Sequence, residues 1–147
     1  TYGDWSSDVC SSDLWSAYGQ SKLANLLFTS ELQRRLGAAG SRVRALAVHP
    51  GYAATALQSK TESAVQDLFM RIANRTIAQS EDQGSWPTLF AIAEDVPGDS
   101  FIGPDGPGQS RGYPHPVGRS RAAQDAETAR RLWELSERLT GVTFDLR

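Results

Sequence analysis

Between Ala17 and Leu36 the apolar side chains Leu23, Leu26, Leu27, Leu32 and Leu36 recur close to a helical period, which predicts an amphipathic helix. Gly37 and the Ala-Ala-Gly stretch that follows it mark its end. The run VRALAV, Val43 to Val48, is apolar with one charged interruption and lies between turn signals. It predicts a buried strand of a parallel sheet. His49-Pro50-Gly51 closes that strand, because Pro50 has no amide hydrogen to give a ladder. Glu62 to Ala78 returns to helical spacing through Val65, Leu68, Phe69, Ile72 and Ile77. Ser80 is placed to cap a further helix through Ala93, with Pro87 as a flaw in its middle. Phe101-Ile102 predicts a short final strand, and Gly103 to Gly118, dense in proline and glycine, a long surface loop. A last helix starts at Ser120 or Asp125 and ends near Thr140-Gly141.

Helix, strand, helix is an α/β order. A chain of 147 residues suffices for one domain with a sizeable core, yet it is short for a complete doubly wound sheet. No Gly-x-Gly-x-x-Gly spacing precedes Tyr18, so the phosphate-binding first turn of such a sheet is missing from the pattern. No apolar run approaches the ~20 residues that span a bilayer, and no signal-peptide pattern opens the chain. A net charge of −2 argues against a nucleic-acid surface. The expectation is a soluble, cytoplasmic protein without a nucleic-acid partner or a membrane segment. Nothing in the pattern indicates an oligomeric state.

The run Asp4 to Leu14, DWSSDVCSSDL, follows neither helical nor strand periodicity. One reading frame of a sequencing-library adapter, reverse-complemented, encodes those residues in order. The expectation is that residues 1–14 are foreign to the native fold and that residues 15–147 carry it. Setting the run aside removes Cys10, the only cysteine, and with it any disulfide or cysteine metal site. Without Asp4, Asp8 and Asp13, 14 of the 17 acids remain against 15 basic residues, a formal charge of +1.

The candidate chemistry lies in Tyr18-Gly19-Gln20-Ser21-Lys22. Side chains four apart on a helix share one face, a turn apart. An isolated phenol titrates near pH ~10 and is a poor base at neutral pH. An ammonium within a few ångströms stabilises the phenolate, and the hydroxyl can then exchange a proton with a substrate oxygen. Alone, the pair also fits a helix whose tyrosine packs on the core while its lysine is solvated. Two neighbours narrow the choice: the apolar strand that follows, and the Pro50-Gly51-Tyr52-Ala53-Ala54-Thr55 segment that ends it.

Together, AYGQSKLANLLFTSELQRRL and VRALAVHPGYAAT resemble the short-chain dehydrogenase/reductase family, in its retinol dehydrogenase-like and WW-domain-oxidoreductase-like branch. The segments GPDGPGQSRGYP and Thr128 to Val142 are similar to bacterial members of that branch. The resemblance implies the C-terminal part of a Rossmann-like doubly wound parallel sheet, incomplete here. It implies hydride transfer between a nicotinamide cofactor, NADP or NAD with NADP slightly preferred, and a small-molecule carbonyl or alcohol.

In the same terms, Tyr18 matches the catalytic acid or base, and Lys22 the lysine that supports it and binds the nicotinamide ribose. Pro50, Gly51 and Thr55 match the loop that approaches the nicotinamide, Thr55 near its carboxamide. Ser21 and Asn25 match common positions and are expected to be structural, and His49 to be a strand-end residue. The family's catalytic serine lies farther upstream than Trp15, as does the residue that selects the cofactor, so this chain is expected to be inactive by itself. Residues 57–93 match the substrate lid, in which Leu68, Phe69, Met70 and Trp86 serve either the core or an apolar pocket. Trp133 is expected in the core. Two other classes fit part of the pattern: an extended nucleotide-sugar epimerase or dehydratase, and a non-catalytic nucleotide-binding scaffold. The compact tail weighs against the first, and the intact Tyr18/Lys22 pair against the second.

Overall fold

A computed structural model describes the backbone over residues 7–51 and 80–145, with side chains over 16–51, at 80 and over 82–145. Its elements are α1 (Ser7–Ala38), β1 (Ala47–Val48), α2 (Glu81–Ala93), β2 (Phe101–Pro104), β3 (Pro114–Pro116) and α3 (Ala126–Thr140). Single 3-10 turns lie at Pro107–Gln109 and Ala122–Gln124. They form two compact units, Thr1–Val43 with Arg119–Arg147, and Arg44–Gly118. The expected helix at Glu62 to Ala78 lies outside the described residues.

The first unit is built on α1. The periodic stretch begins at Ala17, but the helix begins ten residues earlier, at Ser7. Nucleation is the costly step of helix formation, and extension of an existing turn costs little per residue. Its end also differs from the pattern. Gly37 stays helical, and Gly40 turns left-handed at φ 67°. The Ser41 N–H then donates to the Leu36 carbonyl and that of Gly40 to Gly37, both at 3.0 Å, which satisfies carbonyls left free at a helix end.

Leu27 and Leu36 of α1 are buried, as are Ala123 and, on α3, Ala129 and Trp133. Trp133 is 3% exposed. Its ring stacks on Phe28 at 5.1 Å and makes a T-shaped contact with Phe144 at 6.2 Å. The Arg35 guanidinium lies 4.6 Å from its centroid. Arg35 also donates to Glu31 at 2.8 Å, and Arg34 adds two bonds at 2.7 and 2.8 Å. Glu31 is only 2% exposed, a burial that a carboxylate tolerates when paired in this way. The Arg34 bonds hold its carboxyl below the usual range, against desolvation that raises it, and Arg35 adds to the lowering.

Helix α3 matches the sequence pattern closely. Asp125 caps its start by accepting the N–H groups of Glu127 and Thr128 at 3.0 and 3.1 Å. Gly141, left-handed at φ 69°, ends it. The bonds from Thr128, backbone then hydroxyl, hold the Asp125 carboxyl below its ordinary range.

The second unit contains the sheet. Strand β1 pairs in parallel with β2, as an α/β fold requires, and β2 pairs antiparallel with β3. The predicted six-residue strand shrinks to Ala47–Val48, and Val43 is 64% exposed. Among the described residues β1 pairs only with β2, so its flank lacks the two-sided cover that keeps a parallel strand regular. The expected Gly103–Gly118 loop is instead a hairpin, and the sheet is therefore mixed rather than wholly parallel. Asp105 pins the hairpin. Its N–H donates to the Tyr113 carbonyl and its side chain accepts the Tyr113 N–H, both at 2.9 Å.

Helix α2 begins with a reciprocal cap, the Ser80 hydroxyl with the Gln83 N–H and the Gln83 side chain with the Ser80 N–H. Pro87 lies inside it, fully buried. Arg44 ties β1's approach to the segment after α2 through Asp95 and, at 2.6 Å, the Val96 carbonyl.

Trp133→Ala is expected to lower the unfolding free energy by about 3–5 kcal/mol in urea titrations. Glu31 and Asp125 both titrate lower in the folded chain than unfolded. Their stabilisation is complete above the ordinary carboxylate range, near pH ~4, and is lost as pH falls through the folded values. Asp125→Asn should therefore lower the neutral plateau of the Tm-versus-pH curve and flatten its acid limb, bringing the plateau toward the acid value.

Candidate active site

Tyr18 and Lys22 lie on α1, in the first unit, both exposed. The helix sets them a turn apart, and the Lys22 ammonium lies 5.2 Å from the centroid of the Tyr18 ring, within cation–π range. Half of the Tyr18 surface, 51%, is accessible. Ser21 turns its hydroxyl back to the Tyr18 carbonyl at 2.7 Å, a bond within the helix. The Asn25 carbonyl accepts the Thr29 hydroxyl at 2.9 Å in the same manner. Gly19, between the pair, has open space where a Cβ would stand.

Pro50 and Gly51 lie in the second unit, just after β1. Pro50 is exposed, and Gly51 takes φ 74°, a conformation that other residues adopt at a cost. The Gly51 N–H donates to His49 Nδ1 at 3.2 Å. Because Nδ1 accepts, it is unprotonated, and the ring proton belongs on Nε2, which lies 3.1 Å from Gln109 Oε1. Burial pushes His49 below its ordinary range, while the Gln109 bond raises it in part. The ring tilts against Phe101 at 4.8 Å. Its edge lies so close to Gly103 that a Cβ there would stand 1.9 Å from Nε2.

Thr55 lies outside the described residues, as do Leu68, Phe69 and Met70. Of the 57–93 segment, only the part from Ser80 is described. There Trp86 stacks on Tyr113 at 5.6 Å, and an open apolar cleft of about 370 Å³ runs along Trp86, Leu89, Phe90, Ala93, Tyr113 and Pro114. Trp86 thus lines a cleft, while Trp133 is core, as expected. The pattern missed Gln109. A glutamine among prolines and glycines carries no local signal of a partner 60 residues away.

No family model matches the chain. Curated relatives do. Retinol dehydrogenase 13 of Homo sapiens is 40% identical over 134 residues, 86% of this chain and 37% of the relative. The WW domain-containing oxidoreductase of Homo sapiens is 38% identical over 135 residues, 86% of this chain and 29% of the relative. Short chain dehydrogenase/reductase dpmpH of Macrophomina phaseolina is 32% identical over 148 residues, 88% of this chain and 66% of the relative. The chain belongs to the short-chain dehydrogenase/reductase family. This short-chain dehydrogenase/reductase sequence spans under two fifths of retinol dehydrogenase 13, 37% of the human and 38% of the mouse protein. A crystal structure of an uncharacterized protein from Mycobacterium paratuberculosis matches it with a TM-score of 0.67 at 52% identity, over 90% of this chain and 41% of that one.

The two glycines of the short-chain dehydrogenase/reductase segments should respond to alanine with opposite signs. Gly51→Ala places a Cβ in the left-handed region and is expected to cost about 1–2 kcal/mol. Gly19→Ala, at an open helical position, is expected to stabilise by about 1 kcal/mol. Urea midpoints of the two variants against the parent chain check both signs.

Proposed function

We propose that this chain carries the proton-transfer side of an NAD(P)(H)-dependent oxidoreductase site that interconverts a carbonyl and an alcohol. The Tyr18/Lys22 pair is its main support, two exposed polar groups on one helix face with the ammonium beside the phenol ring. The residues fit the cofactor that the family implies. Lys22 offers donors to ribose hydroxyls from an exposed position, and Gly51 leaves its backbone without a side chain. A nicotinamide cofactor held by these residues would supply or accept the hydride at the substrate carbon.

The Tyr18 hydroxyl gives its proton to the substrate oxygen on reduction and takes one back on oxidation. Lys22 stabilises the charge left on the Tyr18 oxygen and holds the ribose. Pro50, Gly51 and Thr55 would border the nicotinamide, and NADP(H) is proposed over NAD(H). Residues 57–93 serve as the substrate lid. Residues 1–14 are proposed to be foreign to the native protein, and residues 7–14 continue α1 as an extension of the native helix. The oxidoreductase is proposed to act in the cytoplasm.

Sequencing the locus through the Leu14–Trp15 junction and expressing the gene found there tests the reading. Tyr18→Phe in that enzyme is expected to lower carbonyl reduction by about 10²–10⁴-fold, with cofactor affinity within about twofold of the parent. Undiminished turnover in Tyr18→Phe overturns the assignment.

A further inference from the structure

We propose that His49 is a positioning residue for the nicotinamide-facing turn. Seated on Gly103 and tethered by Gln109, its ring holds the Gly51 N–H through Nδ1 and fixes the turn's backbone. The inference rests on the cofactor reading above for what the turn faces, and on the observed contacts for how the turn is held.

A backbone bond and the packing around the ring leave His49 little freedom. The His49 backbone N–H donates to the Ile102 carbonyl at 2.9 Å, which anchors the residue to β2. One edge of the ring accepts from Gly51 at 3.2 Å, and Nε2, 3.1 Å from Gln109 Oε1, makes the second ring bond. Phe101 covers it at 4.8 Å. Gly103 permits the approach, since any side chain there would collide with Nε2. At the far end Gln109 itself takes a left-handed backbone, φ 55°, directly after Gly108 at φ 62°. A glutamine adopts that conformation at a cost that glycine does not bear. The side chain it contributes is the one that reaches His49, which gives the strained residue a task.

Gly51 is the residue that most needs holding. Glycine populates both signs of φ readily, so a Pro-Gly turn has a soft peptide unless an acceptor fixes its N–H. Groups that orient a reacting partner act through geometry rather than contact, and small displacements at such positions reduce rates steeply. His49, two residues upstream, supplies the acceptor, and the loop after β2 supplies the restraint on His49.

Backbone amide NMR on the chain as it stands tests the hold directly. His49→Phe keeps a ring but removes the acceptor, and the Gly51 amide is expected to exchange at least tenfold faster. His49→Asn offers a carbonyl oxygen at similar reach and is expected to recover most of the protection. Gln109→Leu should speed Gly51 exchange by a smaller factor, and it decides the matter if His49→Phe does not fold. Gly51 exchange within twofold of the parent in these variants overturns the proposal. Titration with NADPH forms a separate arm. The Gly51 amide is expected to shift in the parent chain and in His49→Asn, and to shift by less than half as much in His49→Phe. A parent Gly51 amide that ignores NADPH sinks the cofactor assignment of the turn, whereas equal shifts in the parent and both His49 variants sink only the role of His49.

Discussion

The helix that carries Tyr18 and Lys22 depends on one aromatic contact. Trp133 stacks on Phe28, meets Phe144 in a T-shaped contact and lies beneath the Arg35 guanidinium. Its burial brings α3 against α1 and leaves its own indole N–H without an acceptor among the described residues. An unmet donor is a real cost, and here the apolar area of the largest side chain outweighs it. Arg35 couples this contact to Glu31, and Glu31 to Arg34. The stretch of α1 from Phe28 to Arg35 is thus fixed by stacking and by ion pairs, while Tyr18 and Lys22, farther up the helix, stand exposed.

What could be read from the sequence followed the range of the forces involved. Asp125 and Gly141 bracket α3 as their residue types imply, and Ser80 opens α2 through its reciprocal bonds with Gln83. Those are interactions between residues three or four apart, and a pattern can show them. Pro87 looked like a break, yet α2 carries it in a buried position. Strand β3 was hidden for the opposite reason. Prolines and glycines fill Gly103 to Gly118, and the pairing that organises them runs to β2.

The candidate site divides along the same line. Tyr18 and Lys22 were legible because one helical turn relates them. Pro50 and Gly51 were legible as a motif, but their physical state was not. The left-handed Gly51 and its bond to His49 follow from where the ring can sit, and that depends on Gly103 and Gln109, which arrive from another strand and another turn. No local spacing encodes such a contact.

The prolines of β3 have a consequence for how the sheet can be extended. The Asp105 N–H bonds to the Tyr113 carbonyl and the Val117 N–H to the Phe101 carbonyl, so residues 113 and 117 turn their polar backbone toward β2. Alternation then directs the nitrogens of Pro114 and Pro116 to the opposite edge, and neither carries a hydrogen. A strand arriving there would meet acceptors without donors, which makes that border a terminus. Growth by hydrogen-bonded addition is left to the other border, along β1, which already pairs in parallel with β2.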